Sequence, residues 1–375
     1  MKTTKGKEQI DRTASIILLL LTLFIASIII GCSEYFSKDE SYGIVSPRLS
    51  NDNRNIIFGY CHGKENKCEL VTYEIATQKI YRFNPTGNKI HVSPVYSPDG
   101  KKIVFAARNY ENKSSIYVAD AEGRNARQLT NTKVSEIVPD KTNNLHFDSS
   151  PSFSPDGNRI IFKRATIWRE RAYPLRGKML SHYDVHEVDI RTGVERRHTN
   201  YAFYNMSKPS YLPDGKRFIF SAIGPKNVSG QTPFNATEYK RRYKDNHIFI
   251  MDGEKNILQP AFTNGWYSTD PSVSEDGTVL FSSVTNEMDG LPKEPYNYDL
   301  FIYKKGQVKR ITKLDAHIPS SFISHDGSRA IFQADVNKPR NMWVTLWIVN
   351  TDGTGLQKIE LPWEQIKKAK VHIFH

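Results

Sequence analysis

The sequence predicts an all-β fold built from six copies of one four-stranded antiparallel unit. Three observations carry this prediction. A short pattern of turn and strand residues recurs six times along the chain, and each copy is followed by further apolar runs. The aspartates of successive copies are separated by 47, 57, 58, 62 and 50 residues, which leaves room for one such unit each time.

The recurring pattern is clearest in SPSFSPDGNRIIF, residues 150–162. The first proline of each copy, or the serine in its place, is the origin: Pro47, Pro94, Pro151, Pro209, Pro271 and Ser321. An apolar residue lies two positions on: Leu49, Tyr96, Phe153, Tyr211, Val273 and Ile323. An aspartate lies five positions on: Asp52, Asp99, Asp156, Asp214, Asp276 and Asp326. A phenylalanine ends each copy: Phe58, Phe105, Phe162, Phe220, Phe281 and Phe332.

This pattern predicts a β-hairpin, the first two strands of each unit. Asp-Gly tolerates a positive φ, and a preceding proline fixes its own φ, so the pair forms a tight corner between two strands. A third strand is predicted in runs such as SIYVADAEG and LWIVNTDG, and a fourth in short runs such as ARQLT and VKRIT. Asp120, Asp189, Asp252 and Asn350 are predicted to cap the turns after the third strands.

One four-stranded sheet cannot bury both of its faces alone. Packing the units side by side around a common axis buries them. The sequence therefore predicts a six-bladed β-propeller over residues 44–375. The predicted blades are 44–91, 92–147, 148–206, 207–268, 269–316 and 317–375. The tail KVHIFH, 370–375, could return beside the first blade or lie outside it.

The repeated SPDG corner resembles the PD40 repeat of TolB-type propellers from bacterial envelopes, over about residues 44–362. The first, fifth and sixth copies depart from it, reading SNDN, SEDG and SHDG. The resemblance implies protein–protein contact or association with the cell wall. The same repeat also occurs in propellers of prolyl-oligopeptidase-like enzymes, so the fold alone does not decide the function. Only residues 33–43 separate Cys32 from the first blade, so we expect a TolB-like relative without the α/β domain that precedes the TolB propeller.

The first 31 residues have the character of a secretion signal. Basic residues are followed by ASIILLLLTLFIASIII, residues 14–30, which contains no charge. The following IIIGCS resembles a bacterial lipobox, which predicts a signal peptide over 1–31, lipidation of Cys32 and a tether over 33–43. By the same resemblance, Ser33 implies release to the outer membrane, facing the periplasm. The alternative is an uncleaved anchor, which at about 25 Å would barely cross a bilayer.

Cys61 and Cys68 flank HGKENK between two apolar runs, so they should face each other across one end of a hairpin. An oxidising compartment favours a disulfide between them. The alternative, a metal site with His62, has too few ligands.

The chain is basic, with a net charge of +12, or +10 without residues 1–31. In an exported protein this charge favours anionic envelope surfaces, and no nucleic-acid-binding motif is present. We expect a monomer whose partner is an envelope protein or an anionic glycan, with the membrane reached through the lipid anchor.

The predicted ligand face carries the long insertions, which lie at 131–147, 164–181, 222–246, 261–269 and 283–298. They join second to third strands or one blade to the next, so all emerge opposite the Asp-Gly corners. Two of them combine arginine or lysine with aromatic residues, a mixture that suits anionic or sugar-like ligands. The alternative is that the aromatic residues pack the loops and the cations are merely solvated. The candidate binding residues are Trp168, Arg169, Arg171, Tyr173, Arg176, Tyr239, Lys240, Arg241, Arg242 and Tyr243.

No catalytic residue and no cofactor is predicted. The Gly-x-Ser-x-Gly elbow of propeller-bearing peptidases does not occur in the chain. His182, Asp184 and His186 alternate as metal ligands could, but neighbours on one strand face lie about 7 Å apart, too far to chelate one ion without bending. The sequence thus predicts a non-catalytic, membrane-anchored scaffold; the alternative is a carbohydrate-binding protein or a polysaccharide lyase or hydrolase.

Overall fold

The structure is a computed structural model. It describes residues 42–62, 65–109, 113–130, 147–170, 178–203, 205–223, 246–255, 257–261, 268–288, 291–292, 296–339 and 344–374. The predicted signal peptide, Cys32 and the tether lie outside these residues, apart from the last two positions of the tether. No helix within the described ranges is long and apolar enough to cross a membrane.

Six four-stranded antiparallel units follow one another through the described residues. The first contains β1 Tyr42–Leu49, β2 Asn55–His62, β3 Lys67–Glu74 and β4 Ile80–Asn84. The second contains β5 Ile90–Tyr96, β6 Lys102–Arg108, β7 Ser114–Asp120 and β8 Arg127–Gln128. The third contains β9 Phe147–Phe153, β10 Arg159–Glu170, β11 Lys178–Asp189 and β12 Glu195–Arg197.

The later units keep the same order with local changes. The fourth has its first strand in two pieces, and contains β13 Asn205–Met206, β14 Ser210–Tyr211, β15 Arg217–Ile223, β16 Asn246–Asp252 and β17 Ile257–Pro260. The fifth contains β18 Ser268–Val273, β19 Val279–Val284, β22 Tyr298–Lys304 and β23 Gln307–Arg310, with a small hairpin, β20 Glu287–Met288 and β21 Leu291–Pro292, inserted. The sixth contains β24 His317–Ile323, β25 Arg329–Asp335, β26 Thr345–Asn350 and β27 Gln357–Ile359.

The six repeated aspartates lie at the corner between the first and second strands of each unit, as the sequence predicts. Each accepts a hydrogen bond from the backbone N–H two residues later, at 2.9–3.1 Å. In five corners a serine hydroxyl two residues earlier also donates to the aspartate. In the fourth, Leu212 replaces the serine, and Asp214 pairs with Arg217 instead, at 2.6 Å. Asn53 takes the glycine's place in the first corner at φ +58°, a conformation that asparagine tolerates.

A bulge interrupts most of the first strands at the start of the repeat. The residue before the repeat's proline has a positive φ in Ser46, Ser93, Ser150 and Asp270. The strand register shifts at this point in the first, second, third and fifth units. A bulge re-aims the side chains around it, and these residues turn toward the centre of the molecule.

Neighbouring units pack through shared apolar clusters. The phenylalanine that ends each repeat is buried, with at most 3% of its surface exposed. Buried clusters join the first unit to the second, the second to the third, the third to the fourth, the fourth to the fifth and the fifth to the sixth. A further cluster joins the sixth unit to the first, with Phe322 and Ile331 among Phe58 and Tyr60.

The C-terminal tail lies against the first unit, one of the two positions that the sequence left open. Helix α1 Trp363–Lys368 precedes β28 Val371–Ile373, which pairs in parallel with β4. The Arg82 guanidinium on β4 donates to the backbone carbonyls of Ile366 and Lys367, at 3.3 and 3.1 Å.

One predicted insertion is instead mostly strand. Residues 164–181 do join the second and third strands of the third unit, but β10 and β11 extend into this range and pair as far as Glu170 and Lys178. Antiparallel pairing provides partners for the backbone N–H and C=O groups of the longer strands. The composition of residues 164–181 did not indicate this extension of the strands.

Candidate binding channel

A cavity of about 390 Å³ opens among the six Asp-Gly corners. It is lined by the residue before the corner aspartate in every unit: Asn51, Pro98, Pro155, Pro213, Glu275 and His325. It is also lined by the apolar residue two positions after every origin: Leu49, Tyr96, Phe153, Tyr211, Val273 and Ile323. We call this cavity, with these two rings of residues, the funnel. Equivalent positions of six repeats therefore meet around one opening.

A second cavity, of about 200 Å³, is lined by residues one position before the origin of each repeat. The residue before each origin lines it in all six units: Ser46, Ser93, Ser150, Lys208, Asp270 and Ser320. Arg48 lines both cavities. We call this second cavity the inner channel. Four of its six equivalent positions are serine, in the first, second, third and sixth units, while the fourth and fifth units place opposite charges there.

Two cations share one aromatic ring beside the inner channel. The Arg48 guanidinium carbon lies 3.1 Å from the ring centre of Phe322, and the Lys208 ammonium lies 3.4 Å from the same centre. The two charges are therefore no more than 6.5 Å apart. Lys208 donates to the Ser321 carbonyl at 2.6 Å, whereas the Nε of Arg48 is buried without a hydrogen-bond partner among the described residues.

A third cation and one carboxylate complete the charges that line the inner channel. Lys163 is buried and donates to the Met206 carbonyl at 2.9 Å. Asp270 attracts the three cations, but within the described part of the chain no ion pair of 4.0 Å or less joins it to any of them. Burial, and next the nearby Arg48 charge, hold the pKa of Lys208 well below its usual value. The inner channel thus carries three potential positive charges against one negative charge.

The predicted binding residues of the insertion face are not joined to this channel by any described contact. Trp168 and Arg169 lie in β10, where only the backbone is described, opposite Leu180 and Met179. The others lie outside the described residues: Arg171, Tyr173, Arg176, Tyr239, Lys240, Arg241, Arg242 and Tyr243.

Cys61 and Cys68 face each other in β2 and β3 and are joined by a disulfide. His62, their alternative metal partner, lies 2.9 Å from an Arg82 nitrogen instead.

Asp184, the centre of the alternating His-Asp-His pattern, anchors the end of its own unit. It accepts hydrogen bonds from the Thr199 hydroxyl at 2.7 Å, from Arg197 at 2.8 Å and from the Tyr201 backbone at 2.9 Å. Asp299 in the fifth unit accepts the same set from Thr312, Arg310 and Leu314. In the ranges the structure describes, no group of three or more His, Cys, Asp or Glu side chains is placed to hold a metal ion.

The channel residues Arg48, Lys163 and Lys208 were not among the residues predicted from the sequence to bind. Their signal was present but was not used for this purpose. Lys208 and Asp270 are the two charged residues at a repeat position that is otherwise serine. A departure from the repeat at an axial position is the feature that would have identified them.

Repeated antiparallel strand groups whose equivalent residues line a shared cavity are typical of a β-propeller. Residues 31–173 match the family model described as PD40, the TolB beta propeller domain. This match, which spans less than half of the chain, supports a likeness to TolB-like PD40 propellers.

Among curated proteins, the chain is similar to the Tol-Pal system protein TolB of Francisella tularensis subsp. mediasiatica. The two are 35% identical over 89 residues, which is 23% of this chain and 20% of the relative. The similarity thus spans about a fifth of the curated relatives' length.

Among solved structures, TolB from Acinetobacter baumannii superposes with a TM-score of 0.51 at 20% identity, covering 85% of this chain and 63% of that one. An oligogalacturonate lyase in complex with manganese superposes with a TM-score of 0.52 at 12% identity, covering 87% of this chain and 83% of that one. At these identities the likenesses show the fold alone.

Proposed function

We propose that this chain is a six-bladed, lipid-anchored, non-catalytic scaffold of the bacterial envelope that binds a protein partner or the cell wall, with the funnel as a principal contact site. The observation that carries the proposal is the funnel itself, which is formed by equivalent residues of all six repeats. Its lining combines apolar and polar side chains, as protein contact sites do. Similarity to TolB-like propellers supports a role in envelope protein interactions.

Closure of the six units into one ring is supported by contacts between the first unit and the last. Asn53 Nδ2 donates to Asp326 at 2.9 Å between the two corners, and Gln333 Nε2 donates to the Ile44 carbonyl at 3.0 Å. The cluster that contains Phe58 and Phe322 fills the space between them. In this proposal the α1 and β28 segment fastens the outer edge of the same junction.

The membrane attachment in this proposal depends on Cys32. A lipidated Cys32 after cleavage at residue 31 would hold the propeller to the membrane through residues 33–43. Several acyl chains make such attachment stable, since each buried methylene contributes about 0.8 kcal/mol. Labelling with a radioactive fatty acid tests it: the wild type should incorporate label and Cys32→Ser should not.

The experiment that tests partner binding is crosslinking in the native envelope, followed by purification of the propeller. Val273 is partly exposed in the funnel, so Val273→Arg should obstruct the site. Val308 is 49% exposed and is not among the residues that line the funnel, so Val308→Arg is the matched control. We expect the crosslinked partner to be lost with Val273→Arg and kept with Val308→Arg. Equal recovery with both variants would refute the funnel as the contact site.

The predicted insertion-face residues are the second contact surface to test in the same experiment. Replacing Tyr239, Lys240, Arg241, Arg242 and Tyr243 by serine removes the basic aromatic segment. If that variant loses the partner while Val273→Arg keeps it, contact occurs at the insertion face and not at the funnel.

The alternative function is binding or cleavage of an anionic polysaccharide, and the positive charge of the inner channel is the observation that favours it. Incubation of the purified protein with anionic polysaccharides separates the two functions. Release of new reducing ends or unsaturated products would establish an enzyme and overturn the scaffold. Retention without product would establish a glycan-binding module.

A further inference from the structure

Among the described residues, cationic side chains outnumber carboxylates in the lining of the inner channel. Arg48, Lys163 and Lys208 come from three different units and line one cavity of about 200 Å³, which contains Asp270 as its single described carboxylate. Charges removed from water are costly unless they are paired and hydrogen-bonded. Lys208 has a backbone carbonyl partner, but a carbonyl dipole does not cancel a net charge.

The guanidinium of Arg48 shows the imbalance most directly. It lies over Phe322 on the same ring as Lys208, so two like charges are held within 6.5 Å. Its buried Nε has a hydrogen to donate and, among the described residues, no acceptor for it. An aromatic face attracts a cation but does not accept this hydrogen bond in full. An acceptor that carries negative charge would satisfy Nε and separate the two cations electrostatically.

The rest of the lining can also donate hydrogen bonds. Ser46 and Ser93 place their hydroxyl groups 3.4 Å apart, and Ser150 and Ser320 occupy the equivalent positions in their units. Arg48 and Lys208 bring two cations to one aromatic ring, an arrangement that suits a ligand with two negative charges. The cavity is smaller than sites for drug-sized ligands, which occupy about 300–1,000 Å³.

We propose that the inner channel is a binding site for a small, doubly charged oxyanion of the phosphate or sulfate type, with Arg48 and Lys208 as its principal ligands. Guanidinium groups bind such oxygens through paired hydrogen bonds, and lysine contributes a point charge. Oxyanion binding at this site needs no protein partner, so it is tested independently of the proposed scaffold function.

Three variants of the purified full-length protein test the site, with inorganic phosphate as the probe. Affinity is measured by calorimetric titration, and the thermal midpoint is followed against phosphate at ionic strength held constant with chloride. Lys208→Met should weaken phosphate binding about tenfold or more, the usual effect of losing one charged hydrogen bond. Asp270→Asn removes the opposing charge and should tighten binding several-fold; asparagine tolerates the φ of +52° there. Lys102→Met, at an exposed corner position, is the matched control and should leave binding unchanged.

The thermal midpoint supplies an independent readout. A ligand that binds only the folded state raises stability in proportion to the logarithm of its concentration above Kd. Without phosphate, Lys208→Met should have a midpoint equal to or higher than that of the wild type, because one of two crowded charges is gone. With phosphate, the wild type should gain and Lys208→Met should not.

Two results would overturn the proposal. One is an equal phosphate effect on the wild type and Lys208→Met, which would mean that the anion acts at another place. The other is acetate stabilising the protein as strongly as phosphate at the same ionic strength, because a monoanion cannot balance both Arg48 and Lys208.

Discussion

Two sets of buried charges in this protein behave differently. Inside the units, carboxylates and arginines meet in close pairs: Asp148 accepts two hydrogen bonds from Arg164 at 2.6 and 2.8 Å, and Glu69 accepts one from Arg82 at 2.6 Å. Around the inner channel, cations lie near one another while Asp270 pairs closely with none of them among the described residues. Paired charges hold strands together, whereas the crowded like charges are the basis of the oxyanion site that we propose. The comparison teaches that burial alone does not distinguish a structural charge from a binding charge, and that pairing does.

The largest expected effect is from breaking a structural pair. Arg164→Met leaves the fully buried Asp148 without its partner, and removal of one member of such a pair costs about 3–5 kcal/mol. Denaturant unfolding measures the loss. The double variant Asp148→Leu with Arg164→Met should recover most of it. A loss as small as that from Lys208→Met would contradict the distinction between the two sets.

A smaller effect is expected from a buried group that is kept neutral. His91 is fully buried, and burial lowers its pKa to about 4 despite the hydrogen bond to the Cys68 carbonyl. Since the unfolded chain binds this proton near pH 6.5, unfolding takes up a proton between the two values. Stability should fall by up to about 3 kcal/mol as the pH drops from 6.5 to 4.

His91→Gln tests this account, because glutamine can bond to the Cys68 carbonyl but does not titrate. The slope of stability against pH between 6.5 and 4 should flatten in this variant. An unchanged slope would assign the pH dependence to other groups.

The third effect concerns the corners. The Ser154 hydroxyl donates to Asp156 and accepts a hydrogen bond from the Arg159 backbone at 2.9 Å, and Ser154 is fully buried. Ser154→Ala leaves that N–H without its partner, at a cost of about 1–3 kcal/mol. Ser152→Ala, two residues away on the funnel wall, is the control and should cost less. Equal costs would mean that the hydroxyl does not stabilise the corner.

The smallest effect is expected at an exposed pair. Lys304 and Asp276 lie 2.8 Å apart with about half of each side chain exposed. Lys304→Gln should change the free energy of unfolding by no more than about 1 kcal/mol, and less in high salt. A larger loss that does not depend on salt would show that an exposed ion pair can contribute strongly to the free energy of unfolding of this protein.

The repeat made much of the fold predictable. The Asp-Gly corners, the buried terminal phenylalanines and the caps at Asp189 and Asp252 follow from turn chemistry and alternation, which are local. The candidate site was predictable only in part. The apolar funnel residues recur visibly in the sequence, but the sequence predicts the ligand on the insertion face, whose principal residues lie outside the described ranges.

By itself, the sequence determined which residues are equivalent: six corners, six origins and six terminal phenylalanines, because each copy repeats the same local chemistry. The tertiary structure alone decided which of these equivalent positions face the axis. Bulges before the prolines turn Ser46, Ser93, Ser150 and Asp270 toward the channel that Lys208 also lines, so residues some 50 positions apart meet there. Proximity between distant repeats depends on how whole sheets pack, and no local pattern encodes it.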